Sequence, residues 1–215
     1  MHVLLYIPNI IGYVRIILAG ISFCYMPSDP ATASVAYVIS QIVLDWIDGN
    51  TARYFNQCST FGAILDIVID RCVLNGLIVM CSHLYPDYLV LFQILAFINI
   101  ACLMYVLSRK ISGTSGHKKA DDNDFYLVRL YFANTVMFNV FWFTSEMFFV
   151  FLYLLHFGQG PLITLGNYSI GTWKLLLWLT AVPCGFVHIV RILQVISACV
   201  FLADQDEKQK AKQTK

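Results

Sequence analysis

Six runs of this 215-residue chain, at about 4–26, 33–53, 60–82, 88–108, 134–156 and 174–202, approach the roughly 20 apolar residues that a helix needs to cross a hydrocarbon core. Lipid offers no partner for a backbone N–H or C=O, so each run must satisfy its polar groups internally. The pattern therefore predicts an all-α, polytopic membrane protein of six transmembrane helices. A hydrophobic content of 59%, only 13% charge and a mean hydropathy of +0.68 agree with that class and exclude an ordinary soluble domain. One membrane domain is expected over 1–202, followed by a disordered, basic, cytosolic tail over 203–215. The first run begins close to Met1 without a small-residue cleavage site and reads as a retained span.

Other classes fall away quickly. A net charge of +1, with no basic stretch interleaved with aromatics, gives no reason to expect nucleic acid. The seven cysteines form no CxxC pair and sit mostly in apolar runs, as packing residues do. No internal repeat is present.

Basic residues set the orientation. The connections near 27–32, 83–87 and 157–173 lack Lys and Arg, whereas 109–129 carries Arg109, Lys110, Lys118, Lys119 and Arg129, and the tail adds four lysines. By the positive-inside tendency the basic segments are cytosolic. Six spans then put both termini and the 53–60 connection on that face, and the sequon at Asn167 on the other.

The stretch "DWIDGNTARYFNQCSTFGAILDIVID", from Asp45 to Asp70, breaks the apolar pattern. At 100° per residue Asp45, Asp48, Gly49 and Ala52 share about a quarter of one helix, and Gly62, Asp66 and Asp70 do the same on the next. Four carboxylates converging at a membrane boundary repel one another unless cations bind among them. Hard oxygen ligands suit magnesium or manganese, and two ions can share four acids. The small residues leave room for a bulky group above them, and Arg53, at the edge of the face, is placed for an anion such as a phosphate. Two other readings stand beside this one: acids that only pair with Arg53 and Arg71, and an ion site in a divalent-cation channel or transporter. Neither explains the small residues at Gly-x-x-Ala-Arg spacing.

Read whole, the stretch is D45-x2-D48-G49-x2-A52-R53-x8-G62-x3-D66-x3-D70, and at every position it resembles the signature of the CDP-alcohol phosphatidyltransferase family. That family has six helices with the signature across the second and third. "IPNIIGYVRIIL", "SGHKKADDNDFYLVRLYF" and "EMFFVFLYLLHFGQGPL" resemble its eukaryotic members that use myo-inositol. The resemblance implies transfer of a phosphatidyl group from CDP-diacylglycerol to myo-inositol with release of CMP, or the same chemistry with another alcohol. It implies Asp45, Asp48, Asp66 and Asp70 as ligands of Mg2+ or Mn2+, two ions in all, with Asp70 also the catalytic base. Asn9, Gly49, Ala52, Arg53 and Gly62 are the implied CDP-diacylglycerol contacts, and Lys118 and Arg129 candidate contacts to acceptor or phosphate. Direct attack by the alcohol is the simpler course, because no Ser, Cys or His holds a fixed place in the motif. The resemblance places the chain in the endoplasmic reticulum membrane, with the lipid bilayer as a partner and the active site facing the cytosol. A homodimer is compatible with it.

Three further expectations concern single residues. Arg15 lies deep enough to need an acid or a lipid phosphate, unless it snorkels to the interface. Glu146, inside an apolar run, should meet a polar partner within the bundle. His156 and His188 read as packing or interfacial residues.

Overall fold

The computed structural model describes residues 2–111, 124–165 and 168–213. In chain order the helices are α1 (Ile7–Tyr25), α2 (Pro30–Tyr54), α3 (Thr60–Leu84), α4 (Leu89–Ile111), the short α5 (Tyr126–Ala133), α6 (Thr135–Phe157) and α7 (Thr172–Gln213). The all-α expectation holds, and each apolar run is a long helix. Five of these helices are long and apolar enough to cross a membrane, one fewer than the six spans predicted. The long helix outside that set is α3, which carries Asp66, Asp70 and Arg71 along its 25 residues, and the eight-residue α5 is too short to span.

Local chemistry explains most boundaries. The Asp29 side chain accepts from the backbone N–H of Ala31 and Thr32 at the start of α2, and that of Ser59 accepts from Gly62 at the start of α3. Asn134, extended at φ −128°, accepts from Val136 and Met137 and so starts α6 afresh. The segment carrying Arg129 therefore does not run straight into the fifth long helix; α5 intervenes. A second element not foreseen is the antiparallel hairpin of β1 (Leu162–Leu165) and β2 (Tyr168–Gly171), paired Leu162 to Gly171 and Leu165 to Tyr168, between α6 and α7. Helix α7 runs on through Gln213, in a Lys/Glu/Gln/Ala-rich stretch of good helix formers, where the sequence alone suggests a disordered tail.

Packing brings three helices to the site. On α1 the buried residues are Asn9, Gly12, Arg15, Ala19 and Ser22, a single stripe at three- and four-residue spacing. Small residues let α2 approach this stripe closely, with Ala33 and Ala36 buried and the Ser22 hydroxyl donating to the Ala33 carbonyl at 2.8 Å. Helix α3 packs against α1, α4 and α6, and α7 against α4 and α6. One apolar cluster joins α1, α2, α3 and α6 through Ala19, Tyr37, Leu74, Leu77, Phe149 and Tyr153. A second joins Ile67, Tyr105, Val128, Tyr131, Val187 and Val190 beside the acids. Glu146 meets its expected partner, accepting from the Tyr37 hydroxyl at 2.7 Å in the buried core. His188 sits at 2.9 Å from the Cys184 carbonyl and His156 against Tyr85 and Phe157, both packing roles. All seven cysteines are free.

Candidate active site

The turn between α2 and α3 holds the two halves of the signature together. Asn56 takes φ 53°, the Gln57 N–H donates to the Ala52 carbonyl and the Asn56 N–H to that of Arg53, which ends α2 in a Schellman arrangement. Gln57 Oε1 then accepts from the Ile7 N–H at 2.9 Å, pinning this turn to the start of α1. The N-terminal segment and the 53–60 connection thus lie at the same end of the bundle. Further along α2, residues Ile39–Val43 form a π-helical turn, a wider coil often found at functional sites.

Arg15 reaches into that turn. Its Nε donates to the Ser40 carbonyl at 3.0 Å, while the Ser40 hydroxyl donates back to the Arg15 carbonyl at 2.9 Å. Nη1 donates to Asp48 at 2.8 Å and Asp66 at 2.7 Å; Nη2 donates to Asp70 at 2.5 Å and lies 3.1 Å from Asp45. A guanidinium has five N–H groups, and here five oxygens surround it. The side chain is fully buried, whereas those of the four aspartates keep between 11% and 34% of their exposure toward the cleft. The partner that the acids meet is Arg15, one of the two sequence-level alternatives for it. Arg53 donates to Asn50 and Arg71 to Asn99 instead.

Two cavities adjoin this cluster and share Asp48, Gly49, Arg53 and Asp66 in their walls. The smaller, about 210 Å³, is lined by Asn9, Gly49, Ala52, Arg53 and Gly62, so the expected donor contacts are brought together in one place. Asn9 is buried and donates to the Val3 carbonyl at 2.6 Å. Gly62 lies so close to it that an added Cβ would stand 2.7 Å from Asn9 Oδ1, below any ordinary contact distance. The larger cavity, about 430 Å³, takes in Asp45 and Asp70 and extends between α3, α5, α6 and α7. Its lining includes the aromatic side chains of Trp46, Phe132, Phe138, Trp142 and Phe143. It also includes the polar side chains of Arg71, Asn139, Arg191 and Gln194.

Sequence reasoning missed Asn139, Arg191 and Gln194 in this lining. Arg191 is 2% exposed, and neither Nη1 nor Nη2 has a hydrogen-bond partner among the described residues. The signal was a charge in the middle of the 174–202 run, with Gln194 one turn on, and a charge at that depth marks a functional site by its cost alone. Of the expected acceptor contacts, Arg129 stands on an exposed face of α5 and lines neither cavity, and Lys118 lies outside the described residues.

The acids fit a divalent cation. One oxygen each from Asp45, Asp48 and Asp66 lie within 4.8 Å of one another, all of them hard anionic donors. Asp70 stands apart from this triple and joins it through Arg15. Carboxylates of this kind in the walls of two cavities suit a site that binds a cation together with a phosphate-linked group. Residues 5–158 match the family model described as CDP-alcohol phosphatidyltransferase, and the chain belongs to that family, whose members use divalent metals.

Among individual relatives, the chain is 35% identical over 212 residues to the CDP-diacylglycerol-inositol 3-phosphatidyltransferase of Homo sapiens, covering 98% of this chain and 97% of that one. The enzyme of the same name from Drosophila melanogaster is 36% identical over 210 residues, covering 97% and 90%. That from Candida albicans is 36% identical over 214 residues, covering 98% and 87%. No solved structure matches the chain.

Proposed function

We propose that this chain transfers the phosphatidyl group of CDP-diacylglycerol to myo-inositol, giving phosphatidylinositol and CMP. One observation carries the reading: two chambers of different chemistry meet at a single acid cluster, so donor and acceptor can face each other across it. Nearly full-length identity to relatives of that printed activity supports the choice of substrates.

In this reading the cytidine and pyrophosphate occupy the smaller cleft, where Gly49, Ala52 and Gly62 allow close approach to backbone, Asn9 faces the nucleotide and Arg53 meets phosphate. The aromatic residues of the larger chamber receive the apolar part of the lipid. Its polar residues receive the polyol: Arg191 donates to hydroxyl oxygens, and Asn139 and Gln194 both donate and accept. Asp45, Asp48, Asp66 and Asp70 hold two divalent cations, Mg2+ or Mn2+, which when bound offset the charge of the pyrophosphate and of the departing CMP. Asp70 lines the acceptor chamber alone and not the donor cleft, which suits a base. It takes the proton of the attacking inositol hydroxyl as the new O–P bond forms and the bond from phosphorus to the CMP oxygen breaks. No covalent enzyme intermediate is needed.

The membrane domain spans 1–202 and lies in the endoplasmic reticulum, with the acid cluster facing the cytosol. The basic residues of 109–129 support that orientation, as does the shared end of the N-terminal segment and the 53–60 turn.

An acceptor panel tests the proposal. Purified protein in detergent micelles with CDP-diacylglycerol and either cation should release CMP with myo-inositol and not with serine or glycerol 3-phosphate. Release with another alcohol alone would keep the chemistry and move the acceptor. Release with no alcohol would contradict the reading.

A further inference from the structure

We propose that Arg15 is the resident cation of the acid cluster: it holds the four aspartates together before a divalent cation arrives, and it competes with that cation for them. The inference rests on the reading of these acids as metal ligands and adds a component that the signature does not contain. Its ground is geometric. Four carboxylates drawn from α2 and α3 surround one fully buried guanidinium drawn from α1, at 2.5 to 3.1 Å. Arg15 is also held from behind, by the Ser40 carbonyl at the π turn and by the return bond from the Ser40 hydroxyl. The side chain is therefore fixed among the acids by the backbone of a neighbouring helix. It does not merely swing in from solvent.

Charge gives the consequence. One guanidinium cannot neutralise four carboxylates, so the cluster keeps an excess of negative charge and an appetite for further cations. A divalent ion sharing those oxygens stands within a few ångströms of a fixed positive charge in a poorly screened site, and the two repel. Arg15 thus lowers metal affinity while lowering the cost of the metal-free state, in which unpaired acids would push α2 and α3 apart. The site becomes one that stays folded without metal and loads it reversibly.

The test reads metal binding and stability, not turnover. Mn2+ binding to full-length protein in micelles is followed by the loss of the free-ion electron paramagnetic resonance signal, alongside thermal unfolding with and without Mn2+. Arg15→Met removes the charge and keeps the volume. It should bind Mn2+ at least about tenfold more tightly than the wild type, given the strength of a charge pair at this separation. Its metal-free unfolding temperature should fall by several degrees, and Mn2+ should restore more of it than in the wild type. Should Arg15→Met fail to fold, Arg15→Lys carries the test, because an ammonium keeps the charge but has three donors where five are used. It should fall below the wild type in metal-free unfolding temperature and regain stability with Mn2+. Equal or weaker Mn2+ binding by Arg15→Met, or a stability loss in Arg15→Lys that Mn2+ leaves unrepaired, overturns the role given to Arg15 alone. Failure of the wild type itself to bind Mn2+ overturns the metal reading of the cluster, and the proposal with it.

Discussion

Asp70→Asn is expected to lower inositol-dependent CMP release by about 10²–10⁴-fold while CDP-diacylglycerol still binds in the presence of a divalent cation. The range is the usual worth of a positioned base, and the separation of effects follows from position. Asp70 lines the larger chamber only, whereas Asp48 and Asp66 stand in both walls, and Asp45, Asp48 and Asp66 form the close oxygen triple. Asp66→Asn should therefore weaken donor binding as well as turnover, with partial recovery at raised cation concentration. The amide in Asp70→Asn still accepts from Arg15, so the scaffold of α1, α2 and α3 survives the change. Donor affinity and CMP release, measured for both variants across a cation titration, check the assignment. Near-normal turnover in Asp70→Asn would remove Asp70 as the base.

The second large effect belongs to Arg191. Its two terminal nitrogens, unpartnered among the described residues, are buried in the wall of the larger chamber, and a buried donor left without an acceptor is costly, so a bound polyol both gains and relieves something there. Hydrogen bonds to a charged group are worth about 1.5–3 kcal/mol, which corresponds to a rise of about ten- to a hundredfold in the KM for inositol for Arg191→Met. The KM for CDP-diacylglycerol should move far less, because Arg191 does not line the smaller cavity, where the cytidine and pyrophosphate are placed. Arg191→Lys should recover part of the loss. An unchanged inositol KM in Arg191→Met would take the acceptor out of this part of the chamber.

These two residues also show where legibility in the sequence ends. Asp70 belongs to a local pattern, acids and small residues at helical spacing on adjacent helices, and such a pattern can be read from a linear string because the helix converts spacing into a shared face. The long helices are legible for the same reason, since lipid forces apolar length. The π turn at Ile39–Val43 leaves no composition signal, and it is what presents the Ser40 carbonyl to Arg15. Arg191 is visible as a buried charge, but its place depends on α7 folding back against α4 and α6, which puts it in the wall of the same cavity as Arg71, more than a hundred positions earlier in the chain. The break at Asn134 hides in a polar residue that can continue a loop as easily as cap a helix. The helical end of α7 differs from the expected disorder because charged residues of high helix propensity satisfy both descriptions until the helix behind them is known to continue.

On the proposed function, donor and acceptor bind together at the acid cluster and react there in one displacement. Isotope exchange addresses it directly: purified protein in micelles, with unlabelled CDP-diacylglycerol, a divalent cation and radiolabelled CMP, in the absence of inositol and phosphatidylinositol. No label should enter CDP-diacylglycerol, because CMP leaves only when an alcohol attacks, and adding phosphatidylinositol should start the exchange by running the reaction backwards. Rapid labelling without either would mean that the phosphatidyl group rests on the protein, and would contradict direct transfer between the two chambers.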